Sequence, residues 1–105
     1  MKRETSKRIQ TIGSKIKREY RAEKVILFGS YAKGNVTEDS DVDLLIVAPT
    51  KERFFERMAS VRRIIRDLRD GLPVSPIVLT PRELETRTKL GDPFVREILE
   101  TGVPL

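Results

Sequence analysis

The chain has 105 residues, of which 35% are charged, and its formal net charge is +5. It contains no cysteine and no histidine. Their absence excludes disulfides, thiolate zinc sites, serine–histidine triads and histidine general bases, so any chemistry must use carboxylates, hydroxyls, lysine, backbone amides or a hard metal ion. The length predicts a single domain over residues 1–105, and no apolar run approaches the ~20 residues of a membrane span. We therefore expect a cytoplasmic protein without membrane association.

The first half of the chain predicts a helix followed by two buried strands. Apolar residues at spacings of three and four indicate a helix over residues 4–21. Residues 25–28 and 42–48 are nearly continuous apolar runs rich in strand formers, a pattern that favours strands buried on both faces. Between the two strands we predict a helical turn at residues 31–33, ended by Gly34, and then a polar loop.

The second half predicts a helix, a strand and two short helices. Residues 51–70 repeat apolar side chains at helical spacing, and residues 74–79 are predicted as the third strand, in which Pro76 indicates an edge position or an irregular start. Thr80 begins a typical helix start, with proline next and glutamate three residues on, and a final helix is predicted over residues 94–100. This order predicts an α+β domain, a small mixed β-sheet of three to four strands flanked by helices.

Two terminal segments allow more than one role. Residues 1–24 carry nine basic and three acidic side chains, a balance that would suit nucleic acid or another acidic partner. A solvated helix face is the alternative, and we favour it. Phe94, Val95 and the apolar residues at 103–105 fit either the core or an interface, and we place them in the core.

Paired acidic residues open the second strand. Because side chains alternate along a strand, Asp41 and Asp43 point to the same side, with Cα atoms ~6.6 Å apart. Two carboxylates this close repel unless a cation lies between them, and their oxygen atoms are the ligands that Mg²⁺ prefers. Alone, such a pair is common at the end of a solvated loop.

A glycine and a serine end the first strand, ten residues before the acidic pair. Gly29 allows the backbone to approach an anion closely, and the Ser30 hydroxyl with nearby amides can bind phosphate. Lys33 adds a positive charge nearby. A Gly-Ser turn is unremarkable alone, but beside Asp41 and Asp43 it describes a site for a nucleoside triphosphate and Mg²⁺.

These segments resemble a known signature. Residues 28–34, Phe-Gly-Ser-Tyr-Ala-Lys-Gly, and residues 40–45, Ser-Asp-Val-Asp-Leu-Leu, resemble the motif of the DNA polymerase beta-like nucleotidyltransferase superfamily. The short length is similar to that of its minimal nucleotidyltransferase group. The resemblance implies transfer of a nucleoside monophosphate, with AMP from ATP as the expected case, to a hydroxyl group, and release of pyrophosphate.

Matching positions assign roles by resemblance. Gly29 and Ser30 would hold the triphosphate, assisted by Lys33, and Asp41 and Asp43 would ligate Mg²⁺ as catalytic residues. Minimal members are often antitoxins that adenylylate a small helical partner of the HEPN type, and the resemblance implies such a partner here.

One expected residue is missing. In many members of the superfamily a third carboxylate, on the next core strand, completes the metal site and helps to activate the nucleophile. Here Ser75 occupies its expected position, between Val74 and Pro76. Two hypotheses follow: an active nucleotidyltransferase working with two carboxylates, or a catalytically weak or inactive module that binds nucleotide or a partner.

Overall fold

Five helices and four strands follow one another in the computed structural model, which describes residues 2–105. Their bounds are α1 Arg3–Glu19, β1 Lys24–Phe28, α2 Ser30–Lys33, β2 Val42–Val47, α3 Phe54–Arg69, β3 Val74–Leu79, α4 Pro81–Lys89, α5 Pro93–Thr101 and β4 Val103–Pro104. Within the described residues, no helix has both the length and the apolar character needed to cross a membrane.

The four strands form one mixed sheet in the order β3-β2-β1-β4. Strand β1 is antiparallel to both of its neighbours, whereas β2 and β3 are parallel and are connected through α3. The predicted α+β fold with a small mixed sheet and flanking helices is therefore confirmed. The edge position predicted for the strand containing Pro76 is also correct, because β3 has only one neighbour.

Helices cover both faces of the sheet. Alternate residues of the strands, such as Val25, Leu44 and Val78, pack with buried isoleucines of α1 and α3 in the larger hydrophobic cluster. The residues between them, such as Ile26 and Leu45, pack with α5 in a smaller cluster. The near-continuous apolar runs of β1 and β2 follow from this two-sided burial.

The chain end contributes the fourth strand. Val103 and Pro104 pair with Leu27 and Ile26, and Leu105 packs against the larger cluster. The core placement of Val95 is confirmed because it is 1% exposed. The core placement of Phe94 and Val103 is wrong, since 43% and 41% of these residues are accessible, and Val103 lies on the edge strand of the sheet. Phe94 is the second residue of α5, where a side chain can lie at the rim of the helix–sheet interface rather than inside it.

Helix α1 presents most of its basic side chains to solvent while its isoleucines lie in the core. Some of the charges are paired: Arg8 contacts Asp70 at 3.3 Å, and Lys17 donates to the backbone carbonyl of Leu105. Exposed pairs of this kind contribute little to stability. Whether the exposed face of α1 binds nucleic acid or only solvent stays a prediction of the sequence.

Arg57 is a buried cation that joins α3, β3 and α4. Its Nε donates to the carbonyl of Glu52 at 2.9 Å, and one terminal nitrogen donates to the carbonyl of Val78 at 3.2 Å. Two further contacts, at 2.6 and 3.3 Å, reach both carboxylate oxygens of Glu83. Glu83 also accepts from the amide of Thr80 and thus completes the predicted capping box at the start of α4. The guanidinium group, with the Thr80 amide, lowers the pKa of Glu83.

Replacing Arg57 should destabilise the fold. Arg57→Ala removes hydrogen bonds to charged and backbone groups, so the free energy of unfolding should fall by about 2–3 kcal/mol. Arg62→Ala, at an exposed position of the same helix, should change it by less than about 0.5 kcal/mol. Urea denaturation measures both, and an equal effect of the two variants would contradict the role assigned to Arg57.

Candidate functional site

A tight turn joins β1 to α2. Gly29 has φ 72° and ψ −151°, a conformation that is essentially restricted to glycine. Its carbonyl accepts from the amides of Ala32 and Lys33 at 3.1 and 3.0 Å, so α2 begins directly at Ser30. Gly34, with φ 80°, ends the helix after one turn, as predicted. Helix α2 therefore starts directly after β1, and its first amides have no partner within the helix other than the carbonyl of Gly29.

The turn packs directly against Asp43. A Cβ atom placed on Gly29 would lie 2.3 Å from Oδ2 of Asp43, a distance that real atoms do not tolerate. The contact arises from strand pairing, because Asp43 stands opposite Phe28, the residue before Gly29. The structure thus brings the predicted phosphate-binding turn and the predicted metal ligand into contact.

Asp41 and Asp43 form an acidic pair at the start of β2. Asp43 is half-buried between the inward-facing Val42 and Leu44, and Asp41 is exposed in the preceding loop. Burial raises the pKa of Asp43, and the negative charge of Asp41 raises it further. The two charges are therefore close enough to repel. A hard divalent cation would relieve this repulsion and would find only oxygen donors, so this pair fits Mg²⁺.

Ser75 lies beside Asp43 on the neighbouring strand. The parallel register of β2 and β3 pairs the two residues directly, and alternation puts both on the α5 face of the sheet. The position where resemblance implies a third carboxylate is thus next to the acidic pair, and it holds a hydroxyl. Among residues 2–105, no group of three or more acidic, histidine or cysteine side chains is arranged to hold a metal ion.

The other acidic residues near β3 in sequence have different partners. Glu83 binds Arg57, Glu85 contacts Lys89 at 2.8 Å, and Asp70 contacts Arg8. None of these pairs involves Asp41 or Asp43. The acidic pair therefore consists of Asp41 and Asp43 alone, the two carboxylates that the sequence predicted for it.

Lys33 has a partner that the sequence did not indicate. Its ammonium nitrogen lies 2.8 Å from Oε1 of Glu97 on α5, and this hydrogen bond lowers the pKa of Glu97. Both side chains are largely exposed, so the pair is weak and exchangeable. Lys33 is near the turn, but its contact is with α5 rather than with the acidic pair.

Helix α5 is the part of the site region that sequence reasoning missed. Phe94 meets Phe28 edge to face, with ring centroids 5.6 Å apart and planes at 87°. A cleft of about 190 Å³ lies between the turn and α5, bordered by both rings and by Gly29. No local motif marks α5, because its position depends on the pairing of β4 with β1. The one signal in the sequence was an aromatic residue at the start of the last helix, Phe94, and its exposure became known only from the structure.

Comparisons with known proteins show a family that the chain matches over most of its length. Residues 9–105 match the family described as the nucleotidyltransferase domain. The chain is also similar to three proteins of Methanocaldococcus jannaschii, each named "putative protein adenylyltransferase". One is 42% identical over 67 residues, which cover 61% of this chain and 46% of that protein. A second is 35% identical over 98 residues, covering 91% and 92%, and a third is 35% identical over 82 residues, covering 77% and 76%.

Substitution of Gly29 should damage the site more than the fold. Gly29→Ala forces the new Cβ against Asp43 and strains the backbone by about 1–3 kcal/mol. We expect Mg²⁺-dependent ATP binding, measured by calorimetry, to weaken at least about tenfold, the effect of roughly 1.4 kcal/mol. Gly34→Ala is the control, because φ is 80° there but nothing lies within 4 Å of its Cβ. Equal losses of ATP affinity in both variants would contradict the assigned contact.

The acidic pair predicts a pH effect in the metal-free protein. A raised pKa means that Asp43 contributes stability below its ordinary value of 3.8 and that this contribution is lost as pH rises through the higher folded value. Asp41→Asn should lower the pKa of Asp43, but not to the ordinary value of an aspartate, because Asp43 stays partly buried. Carboxyl-carbon NMR titration measures the change, and Asp39→Asn, at an exposed neighbouring position, should have a smaller effect. An unchanged pKa in Asp41→Asn would show that the carboxylates do not interact.

Proposed function

We propose that this chain, which belongs to the nucleotidyltransferase domain family, transfers AMP from ATP to a hydroxyl group of a protein. One observation carries the proposal: Asp43, of the acidic pair, packs directly against Gly29 of the phosphate-binding turn. Phosphate-binding groups and metal-ligating carboxylates in contact form a site suited to a metal-bound triphosphate. Two relatives that the chain matches over most of their length are named as protein adenylyltransferases, which supports a protein as the acceptor.

Each residue has a defined role in the proposed reaction. Gly29 and Ser30 would bind the phosphates, and Asp41 and Asp43 would hold Mg²⁺. When bound, the metal ion would neutralise charge on the phosphates. Lys33 would leave Glu97 for a phosphate oxygen, an exchange that the weakness of its present ion pair allows.

The transfer balances without an additional reactant. The acceptor oxygen forms a bond to the α-phosphorus of ATP, the bond from that phosphorus to the bridging oxygen breaks, and pyrophosphate leaves. The hydroxyl proton requires an acceptor, and Ser75 is a poor base at neutral pH. The hydroxyl proton would therefore pass to solvent or to a group on the acceptor protein.

The acceptor and the cellular role are part of the same proposal. The resemblance to minimal nucleotidyltransferases suggests a helical HEPN-type protein as acceptor, with this chain acting as its antitoxin in the cytoplasm. This chain spans less than half the length of one adenylyltransferase relative, so support for the acceptor comes from the relatives that it matches over most of their length.

A second candidate function is favoured by Ser75. With a hydroxyl beside Asp43, the chain could bind nucleotide or its partner without efficient transfer, and act by covering the partner's surface. The acidic pair of Asp41 and Asp43 argues for the enzyme, because a module that only covers a partner needs no paired carboxylates.

One transfer assay separates the two candidates. The chain is incubated with α-labelled ATP, Mg²⁺ and the protein encoded by the neighbouring gene as the candidate partner, with Asp41→Asn/Asp43→Asn as the control. The enzyme predicts label on the partner that is lost in the control. Inhibition of the partner without label, equal in both forms, would support the covering module and contradict the transferase.

Restoring the missing carboxylate should increase transfer. In Ser75→Asp a third carboxylate stands beside Asp43, where it can ligate metal and accept a proton. Because a positioned general base contributes about 10²–10⁴-fold, we expect the transfer rate to rise at least about tenfold. Ser75→Asn has similar size without the charge and should give no increase. If both variants behave alike, Ser75 does not occupy the position assigned to it.

A further inference from the structure

We propose that the cleft between the Gly29 turn and α5 binds the base of the nucleotide. The inference rests on the proposed function, because it assumes that a nucleoside triphosphate occupies the turn. Beyond that function, the inference names the walls of this cleft as the part of the protein that would recognise the base.

The cleft adjoins the phosphate-binding turn and shares a residue with it. Gly29 lines the cleft and also lies against Asp43, so a ligand can extend from the acidic pair into the cleft. Phe28 and Ile98 lie on the same α5 face of the sheet as Asp43. At about 190 Å³ the cleft is smaller than the ~300–1,000 Å³ typical of whole-ligand pockets, so it suits one group of a nucleotide.

The walls of the cleft have the chemistry that a base requires. Phe28 holds Phe94 edge to face, and 43% of Phe94 remains exposed. A ring fixed in this way can stack on the planar ring of a nucleotide base, whichever of the bases it is. Glu97 and Thr101 also border the cleft, so polar edges of a base can meet polar side chains while its faces meet apolar ones.

Strand order favours the nucleotide over the acceptor as the occupant. The turn follows β1, and α5 packs against β1, whereas Ser75 lies on β3 at the opposite side of β2. The phosphate-binding groups and the cleft are therefore on the same side of Asp43. The acceptor hydroxyl would approach from the side of Ser75, where a third carboxylate would contact it.

Phe94→Ala tests the assignment. Calorimetry with Mg²⁺ measures the affinity of the variant for ATP and for inorganic tripolyphosphate, which has the phosphates but no base. Because base–aromatic stacking lost to alanine weakens binding by about 5- to 150-fold, we expect that loss for ATP and less than about a twofold change for tripolyphosphate. Phe94→Tyr should retain wild-type ATP affinity.

Phe55→Ala is the matched control, because Phe55 is 79% exposed on α3, on the other face of the sheet, and should have no effect on ATP. Unchanged ATP affinity in Phe94→Ala would overturn the inference. Equal losses for ATP and tripolyphosphate would also overturn it, because they would show damage to the turn rather than loss of stacking. Phe94-dependent ATP binding without label transfer would support the base site while contradicting the transferase.

Discussion

The pairing of β2 with both neighbours is the constraint on which the site depends. Its residues are nearly all buried, and it is hydrogen-bonded on both edges, antiparallel to β1 and parallel to β3. One pairing places Phe28, and therefore Gly29, opposite Asp43, and the other places Ser75 beside it. A slip of one residue would turn Asp43 into the hydrophobic layer under α1 and α3, where an unpaired carboxylate is very costly. Core packing thus fixes the register, and the register positions the acidic pair.

Local sequence patterns predicted most of the elements and part of the site. The bounds of β3 equal the predicted ones, and those of α1, β1 and β2 differ from the prediction by at most two residues, because caps and apolar spacing are local properties. The capping box of α4 formed from the residues named for it. The contact of Gly29 with Asp43 and the position of Ser75 could be stated only after strand pairing was known, since the spacing of two motifs does not give a distance between side chains.

The features that were missed depend on contacts distant in sequence. Strand β4 has two residues and no periodicity, and it is recognisable only through its pairing with β1. Phe94 belongs to an amphipathic helix and was placed in the core, but the geometry of α5 leaves it at the rim of a cleft. Lys33 likewise gained a partner on α5. In the proposed base site, residues around α5 would contact the part of the nucleotide that the Gly-Ser and Asp-x-Asp motifs do not reach.

The contact between Gly29 and Asp43 also decides which property of a related chain, the turn or the chemistry, can be inferred from the residue at each position. Without the Asp43 side chain, a Cβ atom at position 29 would no longer clash with a carboxylate. The backbone conformation of position 29 would still require glycine, whatever residue lies opposite. A copy of the domain that had lost its chemistry would thus still be expected to keep this glycine. In an alignment, glycine at this position would report the turn, whereas covariation of positions 41, 43 and 75 would distinguish active copies from those that only bind.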